Sequence, residues 1–476
     1  MSHRWTALGV LATAMLMTIL DGSIVTVAMP AISADLGFTP AGLSWIVNAY
    51  LIAFGSLLLL AGRLGDLLGR RRLFLVGIAL FTAASLLAGA ATSPAVLIAA
   101  RFLQGVGSAT ATAVSLGILV TLFTDVRERS RAIAVYSFTG AAGAAIGQVV
   151  GGLLTDALSW HWIFLINLPI GVAALIAAVR TLPADRGLGL AAGADVLGAL
   201  LVTGGLILGI YAVVSGQWPW AGSLAAVFLL SFVVRQKTAR SPLMPLRIFR
   251  SREVSVANVV QALTVAACFA FQVLTALYLQ RVAGYDATET GLAILPAAVM
   301  IGAVSLGLAA RLNARFGERK VLLTGLAMLT VMLGLLARVP VHADYVTDLL
   351  PIMLLAGGFG LVLPALTTLG MSGAKADDAG LASGLFNTTQ QIGMAIGVAV
   401  LSTQAAARTG DLLSAGLGEP AALTGGYRLA YAIGAGLLIV AFLLAYTLLR
   451  TRKPVSDVER VSDVERVAVR AEVGAS

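Results

Sequence analysis

Charge is what this chain has least of. Asp, Glu, Lys and Arg make up 12% of its 476 residues, while 59% are hydrophobic and the mean hydropathy is +0.94. A soluble domain carries about a quarter charged residues, so a water-exposed surface over the whole chain is excluded. Cysteine is nearly absent. Cys268 stands alone, which excludes an internal disulfide and any cysteine-based metal site. Three histidines (His3, His161 and His342) lie in separate places, and there is no nucleotide-binding glycine loop. A membrane-embedded enzyme therefore finds no metal or nucleotide constellation here. A receptor or scaffold would need a long hydrophilic domain, and none is present.

What is there is oil in measured lengths. Apolar runs of about 18–25 residues recur along the chain, the length that crosses a ~30 Å hydrocarbon layer as a helix. The runs are continuous, whereas barrel strands would alternate. The expected fold is all-α and polytopic. Helices are predicted near 7–30, 43–61, 73–91, 95–121, 132–154, 161–180, 194–214, 220–235, 255–280, 289–310, 321–338, 347–370, 380–406 and 428–449, about fourteen in all. The first run continues through Asp21 to Pro30 without a small-x-small cleavage site, so it reads as a span and not as a signal peptide.

The net charge of +9 suits nucleic acid, but its placement argues for topology. Arginines and lysines gather in alternate connections, at 63–72, 127–131, 235–252 and 311–320, with Lys375 and the tail in phase. Lys and Arg are retained on the cytoplasmic side, so both termini are expected inside, in a plasma membrane, and nucleic-acid binding is excluded.

The two ends of the chain resemble each other. "AGRLGDLLGRRRLFLVGIAL" (61–80) aligns with "AARLNARFGERKVLLTGLAM" (309–328), placing Arg63 on Arg311, Gly69 on Gly317 and Arg71 on Arg319. Gly143 and Gly147 align with Gly393 and Gly397, and Gly105-Val-Gly107 with Gly358-Phe-Gly360. Parallel six-helix halves are expected over 1–180 and 251–450, with two inserted helices in 181–250. Such halves about a central cavity are a transporter architecture, with substrate near the midplane. The tail beyond 450 contains "VSDVERVSDVERV" (455–467), a six-residue duplication that reads as a solvated, disordered segment.

Four motifs carry a family resemblance: "LDGSIVTVAMP" (20–30), "GRLGDLLGRRR" (62–72), "RFLQGVGSA" (101–109) and "GAAIGQVVGG" (143–152). Together they resemble the major facilitator superfamily, in the branch of fourteen-span drug:proton antiporters. The resemblance implies export of drug-like or antibiotic-like organic molecules, driven by a proton gradient, with no cofactor, by a monomer in the lipid bilayer. A dedicated metabolite exporter or a proton symporter is the alternative. It also implies that "GRLGDLLGRRR" is a gate. Gly62 and Gly69 allow tight turns and close approach, and Asp66 pairs with Arg70, Arg71 or another nearby arginine, or caps a helix, as a latch of the outward-open state. Leu67 stands where the branch carries an arginine. In the helix-5 motif Gln148 stands where the family has proline, keeping a hydrogen bond that proline would remove.

Asp21 and Arg101 lie inside spans, where ionisable groups are costly and by default functional. Asp21 is about 13 Å and Arg101 about 9 Å from the same membrane face at 1.5 Å per residue. They are expected to pair, directly or through Gln104 or water, and protonation of Asp21 would free Arg101. Gly143, Gly147 and Gly151 recur at four-residue intervals beside Gly152, a close-packing face or a gating one. Asn258, Gln261 and Gln272 share a face of one helix, and Asn387 and Gln391 a face of another. With Trp45, Tyr50 and Gln104 they are the expected lining of an amphipathic substrate cavity.

Overall fold

The computed structural model describes residues 3–39, 42–185, 187, 189, 194–216, 218–240, 242–244, 246–372 and 379–449. Lys375 and the duplicated tail lie outside the described residues. The chain is helical throughout: α1 (His3–Leu36), α2 (Trp45–Leu68), α3 (Arg70–Gly89), α4 (Pro94–Leu122), α5 (Val126–Ala157) and α6 (Trp162–Thr181) come first. Then come α7 (Val196–Ser215) and α8 (Trp218–Thr238). The last group is α9 (Arg252–Arg281), α10 (Ala287–Phe316), α11 (Glu318–Leu336), α12 (Tyr345–Gly370), α13 (Ala379–Ser414) and α14 (Glu419–Leu448).

Twelve helices among the described residues are long and apolar enough to cross a membrane. The two outside that set, α5 and α13, are 32 and 36 residues long. Helix is the local answer because a backbone in hydrocarbon must satisfy its own polar groups. Starts are written in the sequence. Ser93 accepts from Val96 N–H ahead of Pro94, and Asp286 and Glu289 close a capping box at α10.

Two sharp junctions join consecutive helices through one residue each. Gly69 (φ +98°) joins α2 to α3 and Gly317 (φ +83°) joins α10 to α11. Both occupy left-handed backbone, which a side chain would strain. Helix pairing repeats as well: α1 packs on α5, α2 and α3 on α4, and α3 on α6. Correspondingly α9 packs on α13, α10 and α11 on α12, and α11 on α14.

Small residues set these contacts. Gly147 rests on the backbone of Leu20 and Gly397 on that of Ala266. Gly77 and Gly107 face each other's carbonyls, as do Gly325 and Gly358. That last pairing corrects the sequence alignment of helix 4. By packing, Gly107 corresponds to Gly358, whereas Gly105 lies on Tyr50 O and Gly360 on Ile301 O. Glycine identity alone had slipped the register by two residues.

The halves meet along α5–α10, α2–α13 and α1–α9, and the inserted α7–α8 pair leans on α2 and α13. Thr203 Oγ1 of α7 lies 2.9 Å from Ser56 Oγ of α2.

Candidate functional site

Between the halves lies a cavity of about 940 Å³. Its walls come from α1 (Thr18, Ser23), α2 (Tyr50, Phe54), α9 (Phe269, Gln272) and α13 (Asn387, Gln390, Gln391). At one end it reaches Gly62, Arg63, Asp66 and Arg70. At the other end the halves touch. Thr288 of α10 donates N–H and Oγ1–H to Asp156 of α5, both at 2.6 Å, and Gln280 of α9 donates to Val27 O of α1 at 2.8 Å. Gly152 lies on Ala287 and Gly291 on Gln148 O, so backbones there are in direct contact. The cavity therefore opens toward Asp66 and is closed at the Asp156 end.

Arg101 stands on the cavity wall and Asp21 one layer behind it. The two form an ion pair, with Asp21 wholly buried and Arg101 1% exposed. Burying two charges is expensive unless every remaining donor and acceptor is met, and here most are. Asp21 Oδ1 accepts from Gln104 Nε2 at 3.1 Å and from Asn167 Nδ2 at 3.2 Å. Arg101 also donates to Gln104 Oε1 at 2.9 Å and to Ile46 O at 2.9 Å. Gln104 Nε2 reaches Ser85 Oγ at 2.8 Å. The guanidinium carbon sits 4.6 Å from the Tyr50 ring centroid, and the Tyr50 hydroxyl bonds Ser108 at 3.0 Å. The network joins α1, α2, α3, α4 and α6. Such connected polar networks are worth more than isolated pairs.

Sequence reasoning named Asp21, Arg101 and Gln104 but missed Asn167 and Ser85. Asn167 had a signal, being the lone amide in the apolar run of "WIFLINLPIG" (162–171).

At the open end Asp66 pairs with Arg70 across the Gly69 junction at 3.0 Å, and Arg70 also reaches Gly117 O of α4 at 3.3 Å. Asp66 does not cap α3. That role falls to Asp185, whose carboxylate accepts from Arg70 N at 2.5 Å and Arg71 N at 3.1 Å. Asp185 follows α6, 115 residues away from Arg70 in sequence, so no local pattern announces it. The Arg71 side chain donates to Val179 O of α6 at 2.6 Å.

The expected cavity residues divide. Tyr50, Gln272, Asn387 and Gln391 line the wall, and Gln390 joins them unforeseen. Trp45, Gln104, Asn258 and Gln261 do not line it. Gln104 is taken up by the ion-pair network, and Trp45 packs half-buried against the core. Asn258 and Gln261 share a helical face with Gln272, but there α9 is covered by neighbours. Gly370 of α12 closes on Ala257 and Gly393 of α13 on Ala262. Gln261 is wholly buried, with neither amide atom hydrogen-bonded, and Asn258 turns its amide to Val254 O at 2.8 Å. On α5, Gly143, Gly147 and Gly151 all face α1, against Leu16, Leu20 and Ile24, while Gly152 faces α10. Gln148 between them is buried with its Oε1 unbonded.

Known proteins of the same build share these features. A puromycin resistance protein of Streptomyces alboniger is 36% identical over 96% of this chain and 93% of its own length. A cephamycin export protein of Amycolatopsis lactamdurans is 38% identical over 94% of this chain and 92% of its own. Among solved structures, a proton-dependent oligopeptide transporter superposes with a TM-score of 0.69 at 15% identity, covering 94% of this chain and 98% of that one. The family model described as Major Facilitator Superfamily matches residues 11–398. This chain is a member of the Major Facilitator Superfamily, a multi-pass membrane transporter.

Proposed function

We propose that the protein is a proton-coupled exporter of drug-like or antibiotic-like organic molecules that works by alternating access. The observation that carries this reading is the buried Asp21–Arg101–Gln104 network standing one side chain behind a cavity walled by both halves. In this reading α5 and α13 also span, giving fourteen helices arranged six, two and six, with both termini cytoplasmic in the plasma membrane. The Asp66 end is then the cytoplasmic end, and the structure is open inward.

A proton on Asp21 removes the anion that Arg101, Gln104 and Asn167 converge on. The guanidinium must then find another acceptor, and the tie between α1, α4 and α6 loosens. Because Arg101 and Tyr50 also touch the cavity, the change is felt where substrate sits. Asp66 and Arg70 pair within the N-terminal half in this open state, as a latch released from the opposite half would. The apolar and amide wall suits an amphipathic organic molecule, and relatives named for puromycin resistance and cephamycin export support that class. The protein works as a monomer and needs no cofactor beyond the gradient.

Those relatives are each named for one antibiotic, which favours a second reading, an exporter dedicated to a single metabolite. One experiment tests both. Proteoliposomes are loaded with puromycin, a cephamycin, actinorhodin or tetracenomycin C, and efflux is followed with a pH gradient and with the gradient collapsed. Gradient-dependent efflux of several compounds supports the broad exporter and efflux of one supports the dedicated exporter. Gradient-independent flux defeats proton coupling.

A further inference from the structure

The inserted pair α7–α8 is usually read off as an appendage, yet the chain leaving it enters the cavity. Pro242 and Leu243 line the wall. Leu243 is 7% exposed and packs with Leu60 of α2, Ala199 of α7 and Phe232 of α8. Met244 packs against that cluster and also against Ile248, Val254 of α9 and Leu385 of α13. The segment thus bridges the two halves beside the open end.

A chain of buried hydrogen bonds fixes it. Asp195, 3% exposed, caps α7 through Gly198 N at 2.9 Å and accepts from Arg235 Nε at 3.0 Å. Its other oxygen accepts from Gln236 Nε2 at 2.8 Å. Gln236, also 3% exposed, uses its own Oε1 to accept from Met244 N at 2.9 Å. Asp195 therefore speaks to the cavity wall through one amide. A side chain at position 198 would strike the Asp195 carboxylate and the Gln236 amide, so the glycine keeps the space this chain needs. Burial opposes ionisation of Asp195, but the Gly198 N–H, Arg235 and Gln236 outweigh it and hold the carboxyl below the usual carboxylate range. The prolines at 242 and 245 fix φ on either side of Leu243 and Met244, so little freedom remains once Met244 N is held.

We propose that residues 242–244 are a wall of the substrate site and that Asp195 and Gln236 are its positioning residues, which makes the inserted helix pair a part of the binding apparatus. This rests on reading the cavity as the transport site.

The test uses cysteines on a Cys268→Ala background and a membrane-impermeant anionic thiol reagent, 2-sulfonatoethyl methanethiosulfonate. Efflux of the four antibiotics is measured before and after labelling. Labelled Leu243→Cys should lose efflux as labelled Phe54→Cys on the cavity wall does. Labelled Phe249→Cys, exposed beyond the segment, should keep it. If the Phe54 site blocks and the Leu243 site does not, the wall assignment is overturned. If neither blocks, the cavity reading itself fails and takes the wall with it. Gln236→Leu added to Leu243→Cys should speed labelling in detergent about three- to tenfold, the factor one lost hydrogen bond supplies. It should also raise KM while sparing kcat. An unchanged labelling rate would remove Gln236 and Asp195 from the positioning role.

Discussion

The two halves of this molecule are built alike and charged differently. Their junction glycines, Gly69 and Gly317, share a left-handed backbone. Arg71 donates to Val179 O on α6, and its counterpart Arg319 donates to Tyr446 O on α14, each the last helix of its own half. Gly147 on Leu20 matches Gly397 on Ala266. That contact sets the residue equivalence of α1 and α9, and one position on, Asp21 corresponds to Ala267. By the offset of the junctions, Asp66 corresponds to Ala314 and Arg70 to Glu318. The ion pair and the Asp66–Arg70 bridge therefore occur in the N-terminal half without a counterpart. What is repeated holds helices together; what is unrepeated carries charge. If that division is sound, changes at unrepeated residues should strike transport and spare stability. Changes at repeated residues should do the reverse, and similarly in both halves.

The sharpest break of this comparison is Asp21→Asn. The amide keeps the shape and an acceptor for Gln104 but cannot exchange a proton. Gradient-driven uphill efflux should fall to the level seen with the gradient collapsed, while counterflow exchange persists. Retained uphill efflux would place the proton site elsewhere and leave the asymmetry without a function. Ala267→Asp, introducing a buried unpaired acid at the repeat position, should destabilise by about 3 kcal/mol or more without conferring coupling.

Asp66→Asn comes next. Its pair with Arg70 has side chains 41% and 37% exposed, and an exposed pair contributes about 0.2–1 kcal/mol. Thermal stability in detergent should scarcely move. Turnover should slow about tenfold if the bridge sets the balance between the inward- and outward-open states, since each 1.4 kcal/mol of that balance is a factor of ten. A wild-type turnover number would reduce the stretch to a topological anchor.

How much of this was legible in the sequence differs by kind of signal. Span positions were, because hydrocarbon leaves a chain no choice but long apolar helices. The Asp21–Arg101 pair was, because two ionisable groups at matching depth have few alternatives to each other. Gln272, Asn387 and Gln391 were read onto the cavity correctly, but Asn258 and Gln261 show the limit. A helical face is a direction, and only the packing of α12 and α13 decides whether that direction meets a cavity or another helix. Asp185 was invisible for a different reason. It caps α3 from the far side of four helices, and a lone acid in a loop carries no mark of its target. The Asp195–Gln236–Met244 chain was hidden likewise, since its polar atoms converge only after α7 and α8 fold against each other.

Gly147→Ala and Gly397→Ala probe the repeated contacts. A Cβ on Gly147 would meet Ser23 Oγ and the Leu20 backbone, and on Gly397 the Ala266 backbone. Overpacking of this kind costs about 1–3 kcal/mol. Both variants should unfold earlier by similar amounts, with Gly397→Ala the worse because backbone cannot rotate away as a serine hydroxyl can. A large loss of coupling in Gly147→Ala with unchanged stability would instead favour the gating role for the α5 motif.

The smallest expected effect belongs to the arginine anchors. Arg71 and Arg319 are half-buried, each bonds a carbonyl near the end of the last helix of its half, and each leaves its Nε buried without a partner. Arg319 adds a cation–π contact, its guanidinium carbon 5.4 Å from the Tyr446 ring centroid. A hydrogen bond from a charged donor is worth about 1.5–3 kcal/mol where it is buried. The partial exposure and the unmet Nε reduce that, so Arg71→Ala and Arg319→Ala should each cost about 1 kcal/mol. Arg319→Ala should be slightly the larger, by the about 0.5 kcal/mol of an exposed cation–π contact. Thermal unfolding of the two purified variants reads the difference, and efflux at a temperature where both are folded should match the wild type. If Arg71→Ala abolishes efflux while Arg319→Ala does not, Arg71 belongs with Asp66 in the gate, and the line between repeated and unrepeated residues must be redrawn one position into α3.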